Sequence, residues 1–193
     1  MLDEEAFISL IKAGDSNAFK QLVDAYSSRV YNTCLGMLQN TGDAEDLVQE
    51  VFIEVFNSAA GFRGDAKLST WIYRIAVTKS LELLRSKKRK KRFAYIKSLF
   101  GDEGAELQVD KGHFNHPGVQ MENKEMADVL FRAVDQLPTT QKTAFILHRV
   151  EGLSYLEICS VMDVTLPALE SLLFRAKQNL KTLLNKYYTE NEK

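Results

Sequence analysis

The chain has 193 residues, with 25 Lys plus Arg against 26 Asp plus Glu, 45% hydrophobic residues, 10 Gly, 3 Pro and 2 Cys. That length fits one medium domain or two small ones, and the composition excludes a collagen, a disulfide scaffold and wholesale disorder. No run of about 18 apolar residues is present to span a membrane, and the acidic opening MLDEEAF is unlike a secretory leader, so the expected location is the cytoplasm.

Apolar spacing is helical nearly throughout, without sustained period-two alternation, which predicts an all-α fold. Residues 3–13 and 15–39 read as amphipathic helices separated near Gly14 and Asp15. Thr41, Gly42 and Asp43 then make a turn, with Asp43 as the cap of a helix over about 43–60. Its apolar face carries Leu47, Val48, Val51, Phe52, Val55 and Phe56. After a loop from Gly61 to Lys67, Ser69 or Thr70 opens a helix through Trp71, Ile72, Ile75, Leu81 and Leu84.

That helix runs into a basic block. Residues 1–84 carry 7 basic and 12 acidic side chains, whereas Arg85, Lys87, Lys88, Arg89, Lys90, Lys91 and Arg92 put seven cations into eight positions. Such a block repels itself until phosphates approach and condensed counterions leave. A solvated helix end favoured by the macrodipole is the bland alternative. Its place behind an aromatic-bearing helix favours nucleic acid, and the net charge of −1 hides it.

Residues 98–122 break the pattern with four Gly, one Pro and few periodic apolar positions, and read as a flexible linker. His113 and His116 form a close pair there, but without further ligands they make no zinc site. Cys34 and Cys159 suit reduced, buried thiols rather than a bridge or a metal site.

From 123 on, helical periodicity returns through Met126, Val129, Leu130, Val134 and Leu137, and Pro138 ends that helix. Thr139 or Thr140 opens another helix through Val150, which Gly152 stops. A short helix from about Ser154 to Met162, a turn at 163–166 and a long helix to about Tyr188 follow. Ser154 and Glu157 have capping-box spacing. A short helix, tight turn and longer second helix make a helix-turn-helix, whose second helix is shaped for a major groove.

These modules resemble the extracytoplasmic-function sigma factors of the sigma-70 family, small promoter-recognition subunits of bacterial RNA polymerase. The motifs are GDAEDLVQEVFIEVF at 42–56, FRGDAKLSTWIYRIAVTKSLELLRSKKRKK at 62–91, LPTTQKTAFILHRVEGLSYLEICSVM at 137–162 and LFRAKQNLKTLL at 173–184. The resemblance implies region 2 over 1–97, a linker over 98–122 and region 4 over 123–193. It places Asp43, Glu45, Asp46, Gln49 and Glu50 against the clamp helices of the largest core polymerase subunit, and an exposed acidic and amide face suits a basic helical partner.

By the same resemblance, the segment bearing Phe62, Arg63, Lys67, Trp71, Arg74, Thr78 and Lys79 opens and reads the −10 promoter element. Opening needs aromatic surfaces for an unstacked base and cations for the backbone. Trp71 also sits at core spacing with Leu68, Ile72 and Ile75, and Thr78 stands where relatives commonly carry Asn. Arg85, Lys87, Lys88 and Arg89 would track phosphates. In the second module Thr165, Pro167, Ala168, Glu170 and Ser171 would face the −35 element, with Arg175 and Lys177 on phosphates. Glu170 can accept from cytosine N4, where Arg would read guanine. Phe174 and Leu173 are expected in the core.

The resemblance further implies no catalysis, no cofactor, no small-molecule substrate, and control by an anti-sigma factor, often membrane-anchored in relatives. A polymerase-independent helix-turn-helix regulator is the runner-up, but it leaves residues 43–92 without a role. A helical hydrolase finds no nucleophile with a positioned base, ligand cluster or phosphate-cradling loop.

Overall fold

The structure, a computed structural model, describes residues 4–99 and 124–191. In the first module α1 (Glu4–Lys12) lies on α2 (Ser16–Leu38), which packs on α3 (Thr41–Ser58) and α4 (Leu68–Leu99). Asp15 caps α2 by accepting from the Ala18 N–H at 2.8 Å, satisfying one of the donors that a helix start leaves free. Gln39 ends α2 in the left-handed conformation at φ 51°.

Asn40, rather than Asp43, caps α3: its side-chain oxygen accepts from the Asp43 N–H at 2.8 Å. Thr41 and Gly42 are therefore helical, not part of a turn. Asp43 sits in the first turn, where a carboxylate is favoured by the helix dipole. A single 3-10 turn (Ala59–Gly61) follows α3. α4 starts at Leu68 and continues to Leu99, two residues into the segment expected to be linker. The rest of that segment, with His113 and His116, lies outside the described residues.

The period-3.6 apolar positions of the three long helices converge. Leu22, Val30 and Leu35 of α2, Leu47, Val51 and Val55 of α3, and Leu68, Ile72 and Ala76 of α4 form one buried cluster. Cys34 is buried within it, and burial pushes its thiol up to about 12.

The second module contains α5 (Lys124–Asp135), α6 (Thr139–Phe145), α7 (Tyr155–Met162) and α8 (Leu166–Asn191). α6 continues as a π turn over Ile146–Val150. Phe131, Val134, Leu137 and Ile146 pack on Ala176 and Leu180. Gly152 has φ 68°, a conformation that costs side-chain-bearing residues and turns the chain towards α7. Both halves of the capping box form at α7, between Ser154 and Glu157. Asp163 then breaks the helix at φ 54°, and Pro167 sits in the first turn of α8, where its missing N–H costs nothing.

A third cluster joins the modules: Met37, Tyr73 and Val77 from the first pack with Ala144, Leu147, Ile158, Val161 and Leu169 from the second. Each Leu- or Ile-sized side chain sealed there contributes roughly 1.5–3 kcal/mol. Polar contacts cross the same junction. Gln39 Nε2 donates to the Phe131 carbonyl at 2.9 Å, and Lys142 Nζ donates to the Met37 carbonyl at 3.4 Å while pairing with Asp135 at 2.6 Å.

Candidate nucleic-acid interface

α4 turns one face into the core and leaves the positions between for solvent. Trp71, Arg74, Ile75, Thr78, Lys79 and Glu82, joined by Glu54 of α3, line an open pocket of 320 Å³. Trp71 is half-buried, so one part of its indole packs on the core cluster while another part faces the pocket. An apolar ring beside cations can hold a flat unstacked base and its phosphate. Lys79 pairs with Glu54 at 3.4 Å. Glu54, Ile75 and Glu82 were not among the expected site residues. Their spacing on α3 and α4 carried the signal, but only the packing of the two helices brings them to one pocket.

Phe62 is not a pocket residue. It is 7% exposed, and its ring lies 4.9 Å from that of Trp71 in the core cluster. The short 3-10 turn drives this, because the Phe62 N–H bonds back to the Ala59 carbonyl and the side chain turns inward. Arg63 is exposed and pairs with Asp65 at 3.0 Å. Lys67 pairs with Glu157 of α7 at 2.9 Å. Arg74 donates from Nε to the Ser160 carbonyl at 3.2 Å, and its Nη2 reaches the same carbonyl. Thr78 is exposed. Further along α4, Lys87 is ion-paired with Asp43, whereas Arg85, Lys88 and Arg89 are exposed.

On α3 the predicted docking positions do not all stand alike. Glu45, Asp46, Gln49 and Glu50 are exposed, while Asp43 is half-buried and held by Lys87. Glu45 and Gln49 line a wide groove of 690 Å³ with Tyr31, Asn32 and Val48. Burial and then the nearby Glu45 charge raise the Tyr31 hydroxyl above its ordinary pKa. The same face carries two apolar residues that were not anticipated there. Ile53 is 61% exposed, and Phe56, expected in the core stripe, is 49% exposed with an edge-on contact to Phe19. Ile53 is out of register with the inward set Leu47, Val51 and Val55, a legible signal.

The helix-turn-helix is present. Thr165, just before α8, and Pro167, Ala168, Glu170, Ser171, Arg175 and Lys177 within it are all exposed, and the buried Leu169 anchors that stretch to α7. Phe174, expected in the core, is 63% exposed; Leu173 is half-buried against the junction. Glu157 accepts from Lys67, from the Ser154 hydroxyl and from the Ser154 N–H, and these bonds hold its carboxyl down at about 2.

Comparison with known proteins identifies the family of both modules. Residues 22–90 match the model of sigma-70 region 2, and residues 127–180 that of sigma-70, region 4. The extracytoplasmic-function RNA polymerase sigma-E factor of Escherichia coli is 30% identical over 181 residues, covering 92% of each chain. That of Haemophilus influenzae is 32% identical over 181 residues, covering 93% of this chain and 94% of the relative. Among solved structures, CnrH in complex with the cytosolic domain of CnrY superposes with a TM-score of 0.65 at 18% identity, over 95% of this chain and 97% of that one. The sigma factor RpoE of Bartonella quintana, in complex with the anti-sigma factor NepR, gives 0.65 at 20% identity, over 86% and 96%. At such identities the last two show the fold.

Proposed function

We propose, from the premise that this chain belongs to the extracytoplasmic-function sigma factors of the sigma-70 family and is a promoter-specific initiation factor for RNA polymerase, a division of labour among its named residues. The first module, residues 1–97, docks on core polymerase through Glu45, Asp46, Gln49 and Glu50, with Ile53 and Phe56 as apolar anchors beside them. Asp43 contributes by holding Lys87. The pocket around Trp71 receives an unstacked base of the −10 element, Arg74, Thr78 and Lys79 line it, and Arg63 and Lys67 hold the strand outside. Arg85, Lys88 and Arg89 follow phosphates. The second module, residues 123–193, sets Thr165, Pro167, Ala168, Glu170 and Ser171 in the major groove at −35, with Arg175 and Lys177 on the backbone.

The observation that carries this reading is the pocket itself: the Trp71 indole beside Arg74, Thr78 and Lys79, with the carboxylates Glu54 and Glu82 at its edge and a basic helical continuation on α4. A polymerase-independent regulator would need only α7 and α8. The RpoE of Bartonella quintana is in complex with the anti-sigma factor NepR, and such a partner fits the exposed apolar and acidic surface of α3 equally well. Work in the cytoplasm, without a cofactor and without catalysis by this chain, completes the proposal.

Run-off transcription with core polymerase on a promoter library, with and without this chain, tests it. The expected result is a set of transcripts that depend on the chain and share two elements. Tight duplex binding without core, and no promoter-specific transcript with it, would leave the regulator standing instead.

A further inference from the structure

The Trp71 pocket is lined by an uneven set of hydrogen-bonding groups. Of its cationic donors, Arg74 is turned to the Ser160 carbonyl at 3.2 Å, and Lys79 faces Glu54. Its anionic acceptors are Glu54, from α3, and Glu82, one helical turn beyond Lys79 on α4. Each carboxylate has two oxygens and about four lone-pair sites, so one ammonium leaves most of that capacity open. The contact between Lys79 and Glu54, at 3.4 Å, is an ion pair longer than a normal hydrogen bond. A backbone phosphate that takes Lys79 releases Glu54 as a further acceptor.

We propose that Glu54 and Glu82 make this pocket a reader of the exocyclic amino group of an unstacked base, so that it takes adenine, cytosine or guanine and rejects thymine. This rests on the assignment of the pocket to the −10 element given above. Two carboxylates in a site for a polyanion oppose binding unless they meet donors, and a group that repels the wrong ligand is a means of discrimination.

The chemistry of the base edges makes the distinction. A base taken out of the stack is read along its Watson–Crick edge while its face rests on an aromatic ring. Adenine, cytosine and guanine each carry an amino group with two hydrogens to give, whereas thymine carries carbonyl oxygens and a methyl group. The single ring N–H of thymine lies between two carbonyls. A carboxylate that approaches it is repelled by the neighbouring oxygen, and the second carboxylate finds no donor. An amino group instead gives one N–H to each carboxylate, and such bonds to an ionised acceptor are the stronger kind. Thymine over the Trp71 indole would therefore cover carboxylates without pairing them, which costs their lost hydration. The pocket is open to solvent, so the discrimination is that of an ordinary base contact, about tenfold, and well below that of an enclosed site.

The test is open-complex formation by the full chain with core polymerase on a promoter library randomised over the −10 element and read by sequencing. At one position thymine should stand about tenfold below the preferred base. E54Q combined with E82Q puts in amides that donate to a carbonyl as well as accept, and should narrow that gap to less than about threefold while leaving the other positions as in the parent. An analogue lacking only the amine is then placed at that position: 2-pyrimidinone for cytosine, purine for adenine or hypoxanthine for guanine. Such bases pair more weakly, which by itself eases opening. With the parent chain the analogue should nonetheless fall to the level of thymine, and with the double variant it should not. Thymine accepted at every −10 position, an analogue as good as its natural base, or a double variant with the parent's discrimination overturns the proposal. Normal opening by W71A refutes the assignment of the pocket to the −10 element. Opening lost in a folded W71A chain, with thymine discrimination unmoved by the double variant, refutes the amino-group reading alone.

Discussion

Phe62 separates a structural role from a functional one more cleanly than any other residue at the site. The sequence places it with the base-receiving aromatics; the fold puts its ring 4.9 Å from Trp71 with 7% of the residue exposed. F62A removes a nearly fully buried aromatic, a change that costs about 3–5 kcal/mol in protein cores. The neighbouring loop over 63–67 is mostly exposed and can partly collapse into the space, so the expected loss is near the lower end, about 3 kcal/mol. That lowers the folded-to-unfolded ratio roughly 150-fold and the melting temperature by about 6–12 °C for a chain of this size. F62L restores most of the buried area, and less than about 1.5 kcal/mol should remain lost. Urea unfolding gives the stabilities, and permanganate reactivity of unpaired thymines in the polymerase complex reports strand opening. A stable F62L chain that opens promoters normally, beside a W71A chain that does not, is the expected pair. If F62L folds as the parent does and yet fails to open DNA, the ring reads DNA directly and the core assignment is wrong.

Three further outcomes follow from the same surfaces. D46K combined with E50K alters two exposed residues, so helix content should be unchanged while native-gel association with core polymerase drops at least tenfold. E157A removes the capping box, at a cost of about 1 kcal/mol. Because the Glu157 carboxyl is held at about 2 rather than 4.5, its contribution is complete above pH 4.5 and fades as pH falls towards 2; the stability gap between parent and E157A should narrow over that window in denaturant titrations. R175A and K177A should each weaken duplex binding across all sequences and lower the slope of log affinity against log salt by about one, whereas E170A should change which base is preferred.

How much of this was legible follows from the range of the interactions involved. The helices were legible because each presents its own apolar period, and the start of α7 was legible because Ser154 and Glu157 are three residues apart. The cap of α3 was misplaced because Asn40 and Asp43 are both good acceptors three residues apart, and only the backbone path shows which one precedes the first free N–H. Phe62 and Phe174 were misplaced because a single aromatic carries no periodicity of its own. The junction was illegible altogether. Lys67 and Glu157, Arg74 and Ser160, and Tyr73 and Glu151 are separated by 90, 86 and 78 residues, and nothing in local spacing links such pairs.

On the proposed reading, the ion pairs along α4 let a chain with a net charge of −1 present a DNA-reading face without being captured by DNA at large. Three cations of that face are already answered by carboxylates on other elements: Lys67 by Glu157, Lys79 by Glu54 and Lys87 by Asp43. Phosphates must displace those carboxylates before these lysines release any counterion, so each paired lysine adds less to non-specific affinity than a free one would. Exposed ion pairs of this kind contribute only about 0–1 kcal/mol apiece. The exchange therefore blunts weak, sequence-blind binding, whose total is small, and hardly burdens a promoter complex in which the polymerase holds both modules on the DNA. On that reading, low free affinity and competence in the complex are two expected consequences of one charge arrangement, checked by comparing DNA binding with and without core polymerase.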